Sequence, residues 1–264
     1  MGVVNVTPDS FSDGGSFFDV SHAIEHALML DKEGADILDI GGESTRPGST
    51  PVSPQEEMDR VVPVIEALST RTEKTISIDT RHTEVMKACI SAGATFINDV
   101  NALQDDGAVD VVAKSELPVC LMHMQKTPDN MQEKPAYDNV VEEVFEFLSE
   151  RLSACLDAGI LKDNIVIDIG IGFGKTLDHN LTLLRHIDRF HALGVPILLG
   201  TSRKSFIGKI SNEDAPKNRL GGSISSVLYG MQKGAQVFRV HDVAQTVQAF
   251  DVYRAVDGHQ DADD

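Results

Sequence analysis

Ile165-Val-Ile-Asp-Ile-Gly-Ile-Gly-Phe-Gly-Lys-Thr176 decides how the rest of the chain is read. A β-branched apolar run of this kind reads as a strand buried on both faces, and it delivers a carboxylate, Asp168, to its carboxyl end. The glycines that follow let the backbone turn tightly beside whatever binds there. Outward from this stretch the same construction recurs. Strands are expected at residues 2–6, 37–40, 75–79, 95–100, 119–124, 165–168, 197–200 and 236–240, with a helical pattern after each. Ser53-Pro54-Gln55-Glu56 predicts a helix start, with a serine cap, proline at the first helical position and glutamate at the third. Asn139 opens a long helix that stops at Gly159. Asp178 is expected to cap the next helix, which stops at Gly194. Gly34 and Gly93 read as further helix ends.

Strand and helix alternate eight times without a linker-like break. Such alternation means parallel strands joined by crossover helices, and eight units in 264 residues point to one closed (β/α)8 TIM barrel, an α/β fold. An open doubly wound sheet is the alternative. The barrel is expected over residues 1–256, with 257–264 as an acidic, disordered tail.

Composition narrows the function. Lys+Arg total 23 against Asp+Glu 41, a net charge of −18, which argues against broad binding to nucleic acid or acidic lipid. Cys89, Cys120 and Cys155 are odd in number and widely spaced, so neither a disulfide framework nor a zinc site is expected and a reducing compartment is. No secretory or membrane-spanning segment is evident.

Polar residues gather at the strand ends: Asn5; Asp39 with Glu43 to Arg46; Asp79; Asn98 and Asp99; His123; Asp168; Ser202 to Lys204; and Arg239, His241 and Asp242. Any one of them reads as a solvated strand end or helix cap, and that reading is preferred for Asp99 and Asp242. His123, between two methionines, reads as a packed histidine. As a set, acids and amides beside Arg46, Lys204, Arg239 and His241 describe a pocket with two parts, one reading hydrogen-bond donors and one holding an anion. Gly170 to Thr176 is not a phosphate-binding P-loop, because Ile169 stands where that pattern needs its first glycine. Nor is it the dinucleotide fingerprint.

Asn5 to Gly15 (Asn-Val-Thr-Pro-Asp-Ser-Phe-Ser-Asp-Gly-Gly), Asp39 to Gly48 (Asp-Ile-Gly-Gly-Glu-Ser-Thr-Arg-Pro-Gly), Ile97-Asn-Asp-Val100, Leu121-Met-His-Met124, Gly200-Thr-Ser-Arg-Lys-Ser205 and Arg239-Val-His-Asp242 together resemble the dihydropteroate synthase family. The likeness runs through nearly the whole chain in the family's order. It implies a pterin-binding barrel of folate biosynthesis, cytoplasmic, homodimeric and a sulfonamide target. Such an enzyme joins 6-hydroxymethyl-7,8-dihydropterin diphosphate to 4-aminobenzoate and releases diphosphate with Mg²⁺.

Carried across, the resemblance assigns the pterin edge to Asp79, Asn98, Asp168 and Lys204, with Arg239 stacking on the ring. It assigns the diphosphate to Thr45, Arg46, Arg239, Val240 and His241, with Asn5 as the Mg²⁺ ligand. The 4-aminobenzoate site would be formed by Phe11, Pro47 and Ser205 near Lys204. Asp79, Arg46, Lys204 and His241 would carry the catalysis. The sequence departs from the family where Ile169 replaces a usual proline, Arg81-His82 a more common Ser-Lys pair, and Gly221 a frequent proline. The chain also begins at its first strand. Two competing readings are a methyltransferase acting on a reduced folate and a non-catalytic pterin-binding paralogue. The methyltransferase would need neither the Ser44 to Pro47 loop nor Lys204. The paralogue would have been favoured by loss of Arg46, Lys204 or His241, which are all present.

Overall fold

A computed structural model describes residues 1–6, 16–44, 49 and 51–258. The strands are β1 (Gly2–Asn5), β2 (Ile37–Gly41), β3 (Thr75–Asp79), β4 (Phe96–Asp99), β5 (Val119–Met122), β6 (Ile165–Asp168), β7 (Ile197–Leu199) and β8 (Val237–Phe238). Each pairs in parallel with the next in sequence order. A bridge between Gly2 and Val240 closes the ring, with the Val3 N–H donating to Val240 O at 3.0 Å and the Val240 N–H to Met1 O at 2.9 Å. The expected barrel is therefore observed. The helices are α1 (Ser16–Lys32), α2 (Pro54–Leu68), α3 (Thr83–Ala92), α4 (Ala108–Ser115), α5 (Val140–Asp157), α6 (Leu177–Arg185), α7 (Ser205–Ser211), α8 (Leu220–Gln232) and α9 (Val243–Asp257).

Period-2 alternation divides each strand between two cores. Leu38, Ile40, Ile76, Ile78, Ile97, Leu121, Ile165, Ile167, Ile197 and Leu199 face outward and pack against the helices. The other parity faces the barrel axis. Its lower layer is apolar, with Phe96, Cys120, Val166 and Leu198 clustered beside Met1 and Val237. Two residues further along those strands stand Asn98, Met122, Asp168, Gly200 and Arg239. The barrel is thus plugged with hydrocarbon below and lined with polar groups above, at the carboxyl ends of the strands where barrel sites are built. Ile169, in place of the usual proline, is fully buried in the outer core.

Local signals match in most places. Ser53 accepts from the Glu56 N–H at 3.2 Å with Pro54 opening α2, and Asn139 accepts from the N–H groups of Val141 and Glu142. Gly34, Gly93, Gly159 and Gly194 all take positive φ at helix ends. Three expectations are corrected. The cap of α6 is Thr176, which forms a reciprocal box with His179, and Asp178 lies in the first turn instead. Strand β5 stops at Met122, so His123 belongs to the loop beyond it. A short helix, α7, begins directly after Lys204, where none was anticipated.

Candidate active site

Strand register aligns the floor of the cup. Asn5 pairs with Gly41, Gly41 with Asp79 and Asp79 with Asn98, while Asp168 sits opposite Met122. At the centre lies Arg239. Its Nε donates to Asp39 Oδ2 at 2.6 Å and its Nη2 to Asp79 Oδ2 at 2.7 Å. Asp39 is fully buried and also accepts from the Ser77 hydroxyl at 2.6 Å and the Asn98 amide at 3.2 Å. A buried carboxylate with three donors is a compensated one. Asp39 thereby joins β2, β3, β4 and β8. The sequence places it among the polar strand ends of the pocket without an individual role. Its signal was available: it lies two residues before Gly41 and so faces the axis.

Burial, together with repulsion from Asp39, pushes the Asp79 pKa up to about 7 against the pull of Arg239. Asp168 is raised for the same first reason and is drawn back by Lys204 and by the Gly170 N–H, which donates to Oδ1 at 2.7 Å. Burial lowers Lys204 to about 8, opposed by Asp168. The Lys204 amine donates to Ile171 O and lies 4.5 Å over the Phe173 ring. A Cβ at Gly200 would sit 3.8 Å from each of Asp168 Oδ2, Lys204 Nζ and Arg239 Cβ, which places all three around one point.

The glycine loop is built as its sequence required. Gly170, Gly172 and Gly174 all have positive φ, and a Cβ on Gly170 would fall 1.8 Å from His123 O. Beneath this loop, the buried Lys175 amine bonds to His123 Nδ1 at 2.9 Å and to Phe173 O at 2.9 Å. Burial and the adjoining lysine push the His123 pKa down to about 2, so the imidazole is neutral and Nδ1 accepts. His123 also packs edge-on against Phe147 with centroids 4.9 Å apart. It is a packed histidine, as its setting suggested.

On the opposite wall, Ser202 Oγ accepts the His241 N–H at 3.2 Å and lies 3.0 Å from His241 Nδ1. Arg203, with positive φ, pairs with Asp242, and Asp99 accepts two loop N–H groups at 2.7 Å each; both acids are structural. The backbone of Val240 is engaged in closing the barrel and its side chain belongs to the outer core. Ser205 opens α7 at the exposed rim. Phe11, Thr45, Arg46 and Pro47 lie outside the described residues. The structure therefore gathers Asp79, Asn98, Asp168, Lys204 and Arg239, adds Asp39, and sets Asn5 in the same register.

Residues 1–241 match the family model described as pterin binding enzyme. The dihydropteroate synthase of Escherichia coli (strain K12) is 47% identical over 255 residues, covering 97% of this chain and 90% of that protein. Among solved structures, Xanthomonas albilineans dihydropteroate synthase with 4-aminobenzoic acid superimposes with a TM-score of 0.92 at 52% identity, covering 97% of this chain and 92% of that one. The same enzyme in complex with 7,8-dihydropteroate gives 0.89 at 49% identity, with 97% and 92% covered. These relatives favour the synthase over the methyltransferase and the non-catalytic paralogue. By sequence, by barrel and by the groups on its floor, the chain belongs to the pterin-binding enzymes and, among them, to the dihydropteroate synthases, transferases of folate biosynthesis.

Proposed function

We propose that the cup binds 6-hydroxymethyl-7,8-dihydropterin diphosphate and transfers its pterinylmethyl group to the amine of 4-aminobenzoate, giving 7,8-dihydropteroate and diphosphate. The observation that carries this reading is the convergence of Asp168, Lys204 and Arg239 around Gly200, beside the Asp79–Asn98 pair. A pterin's amino-pyrimidinone edge presents adjacent N–H donors, which one carboxylate accepts side by side. Asp168 is suited to that edge, Asn98 reads a further ring group, and Lys204 donates to a ring carbonyl or nitrogen. Arg239 offers a flat guanidinium for stacking, held in place by Asp39 and Asp79.

As the carbon–oxygen bond to diphosphate breaks, positive charge grows on the pterin methylene. The Asp79 carboxylate stabilises it electrostatically, and the arylamine nitrogen attacks the same carbon and then loses a proton. No enzyme nucleophile is required. Thr45, Arg46 and His241 take the departing diphosphate, and Phe11, Pro47 and Ser205 contact the 4-aminobenzoate.

Asn5 offers a hard oxygen at the strand end in register with Gly41, a donor that suits Mg²⁺, and it would hold that ion beside the diphosphate. The chemistry that Mg²⁺ supplies when bound is neutralisation of the leaving diphosphate. A homodimer is supported by the exposed apolar side chains of Tyr229 on α8 and Val252 and Val256 on α9. A cytoplasmic setting is supported by three buried, unpaired cysteines. Among the described residues no helix is long and apolar enough to cross a membrane. The test is diphosphate release from the pterin diphosphate, with and without 4-aminobenzoate and with a chelator. Release that needs neither the arylamine nor Mg²⁺ contradicts the reading.

A further inference from the structure

Among the described residues, three buried side-chain atoms lack a hydrogen-bond partner: both carboxylate oxygens of Glu57 and Nε2 of His82. All three lie in one place. Glu43, Glu57 and His82 each bring one ligating atom to within 4.8 Å of the others. The cluster draws on three elements, because Glu43 follows β2, Glu57 lies in the first turn of α2, and His82 stands at the cap of α3. Glu57 is fully buried, and a carboxylate in that position without donors is costly. The Thr80 hydroxyl lies near enough to ease the Glu57 charge but makes no hydrogen bond of ordinary geometry with it.

Both carboxylate oxygens of Glu43 are held by Arg81, Nε on Oε2 and Nη2 on Oε1. The Arg81 guanidinium donates to it at 3.0 and 3.1 Å, and the Val52 N–H at 3.2 Å. Its Oε2 is left 3.9 Å from His82 Nε2, too far for a hydrogen bond. Two ligands about 2.1 Å from a shared ion at a tetrahedral angle stand about 3.4 Å apart, so the three groups, within 4.8 Å of one another, must draw together on an ion to coordinate it.

We propose that Glu43, Glu57 and His82 form a divalent-cation site for a borderline ion of the Zn²⁺ or Co²⁺ type, separate from the Mg²⁺ position at Asn5. One imidazole and two carboxylates suit such an ion better than Mg²⁺, which prefers oxygen ligands alone. The bound ion ties the segment after β2, just ahead of Thr45 and Arg46, to the starts of α2 and α3.

The test is titration of the metal-stripped full chain with Co²⁺ in Mg²⁺-free buffer, read by visible absorption and metal content after desalting. The expected result is one equivalent per chain, with binding weakened at least tenfold in both His82→Gln and Glu57→Gln and unchanged in Asn5→Ala. His82 is only half-buried, so His82→Gln keeps the test informative if Glu57→Gln fails to fold. Absence of stoichiometric binding by the wild type, or binding unaffected in His82→Gln, overturns the proposal.

Discussion

Arg239, just beyond β8, holds Asp39 of β2 and Asp79 of β3, with its Nε 2.6 Å from Asp39 and its Nη2 2.7 Å from Asp79. One guanidinium compensates two carboxylates that would otherwise face each other. Arg239→Gln is expected to cost about 3–5 kcal/mol in denaturant unfolding, because it strands buried charge. A loss under about 1 kcal/mol would mean that the pair is screened as surface ion pairs are.

Removing the Asp79 charge while keeping its shape separates chemistry from packing. Asp79→Asn should lower kcat by about 10²–10³-fold, the usual scale for losing one electrostatic stabiliser, with the fold retained by circular dichroism. Turnover within a few-fold of wild type would remove Asp79 from the mechanism.

Two titrations bracket the pH range of pterin binding. An acid with a raised pKa loses its charge as pH falls, so the Asp79 contribution is lost below about 7. A lysine with a lowered pKa loses its charge as pH rises, so the Lys204 contribution is lost above about 8. The kcat/KM for the pterin diphosphate should therefore form a narrow bell. In Lys204→Arg, whose charge persists, the residual activity should keep its acid limb and lose its alkaline one. An unchanged alkaline limb in that variant would assign it to another group.

Gly170 and Gly221 should respond oppositely to alanine. At Gly170, φ is +67° and a Cβ would lie 1.8 Å from His123 O, so Gly170→Ala should cost at least about 2 kcal/mol and displace Asp168, weakening pterin affinity. At Gly221, in α8, a Cβ meets nothing within 4 Å, so Gly221→Ala should stabilise by about 0.5–1 kcal/mol. Thermal unfolding of both variants, with ligand titration of the first, checks the pair.

Much of the barrel was legible because its signals are local. Alternation of buried strands with capped helices needs no long-range knowledge, and Ser53-Pro54 and the glycines after Asp168 declare their turns by their own sterics. Where neighbouring signals competed, reading was less sure. Thr176 displaced Asp178 as a cap because its hydroxyl reaches the third N–H of the helix, and α7 has only seven residues, too few to show a period.

Sequence by itself determined the eight parallel units and the acids delivered to one rim, because backbone periodicity and turn chemistry act over a few residues. Only tertiary structure decided that Asp39 anchors Arg239 across 200 residues of chain, that Asp79 shares the same guanidinium, and that Glu43, Glu57 and His82 meet. Those relationships depend on how the ring closes and how the strands stagger, so groups distant in sequence share one small, poorly hydrated space where their charges become interdependent.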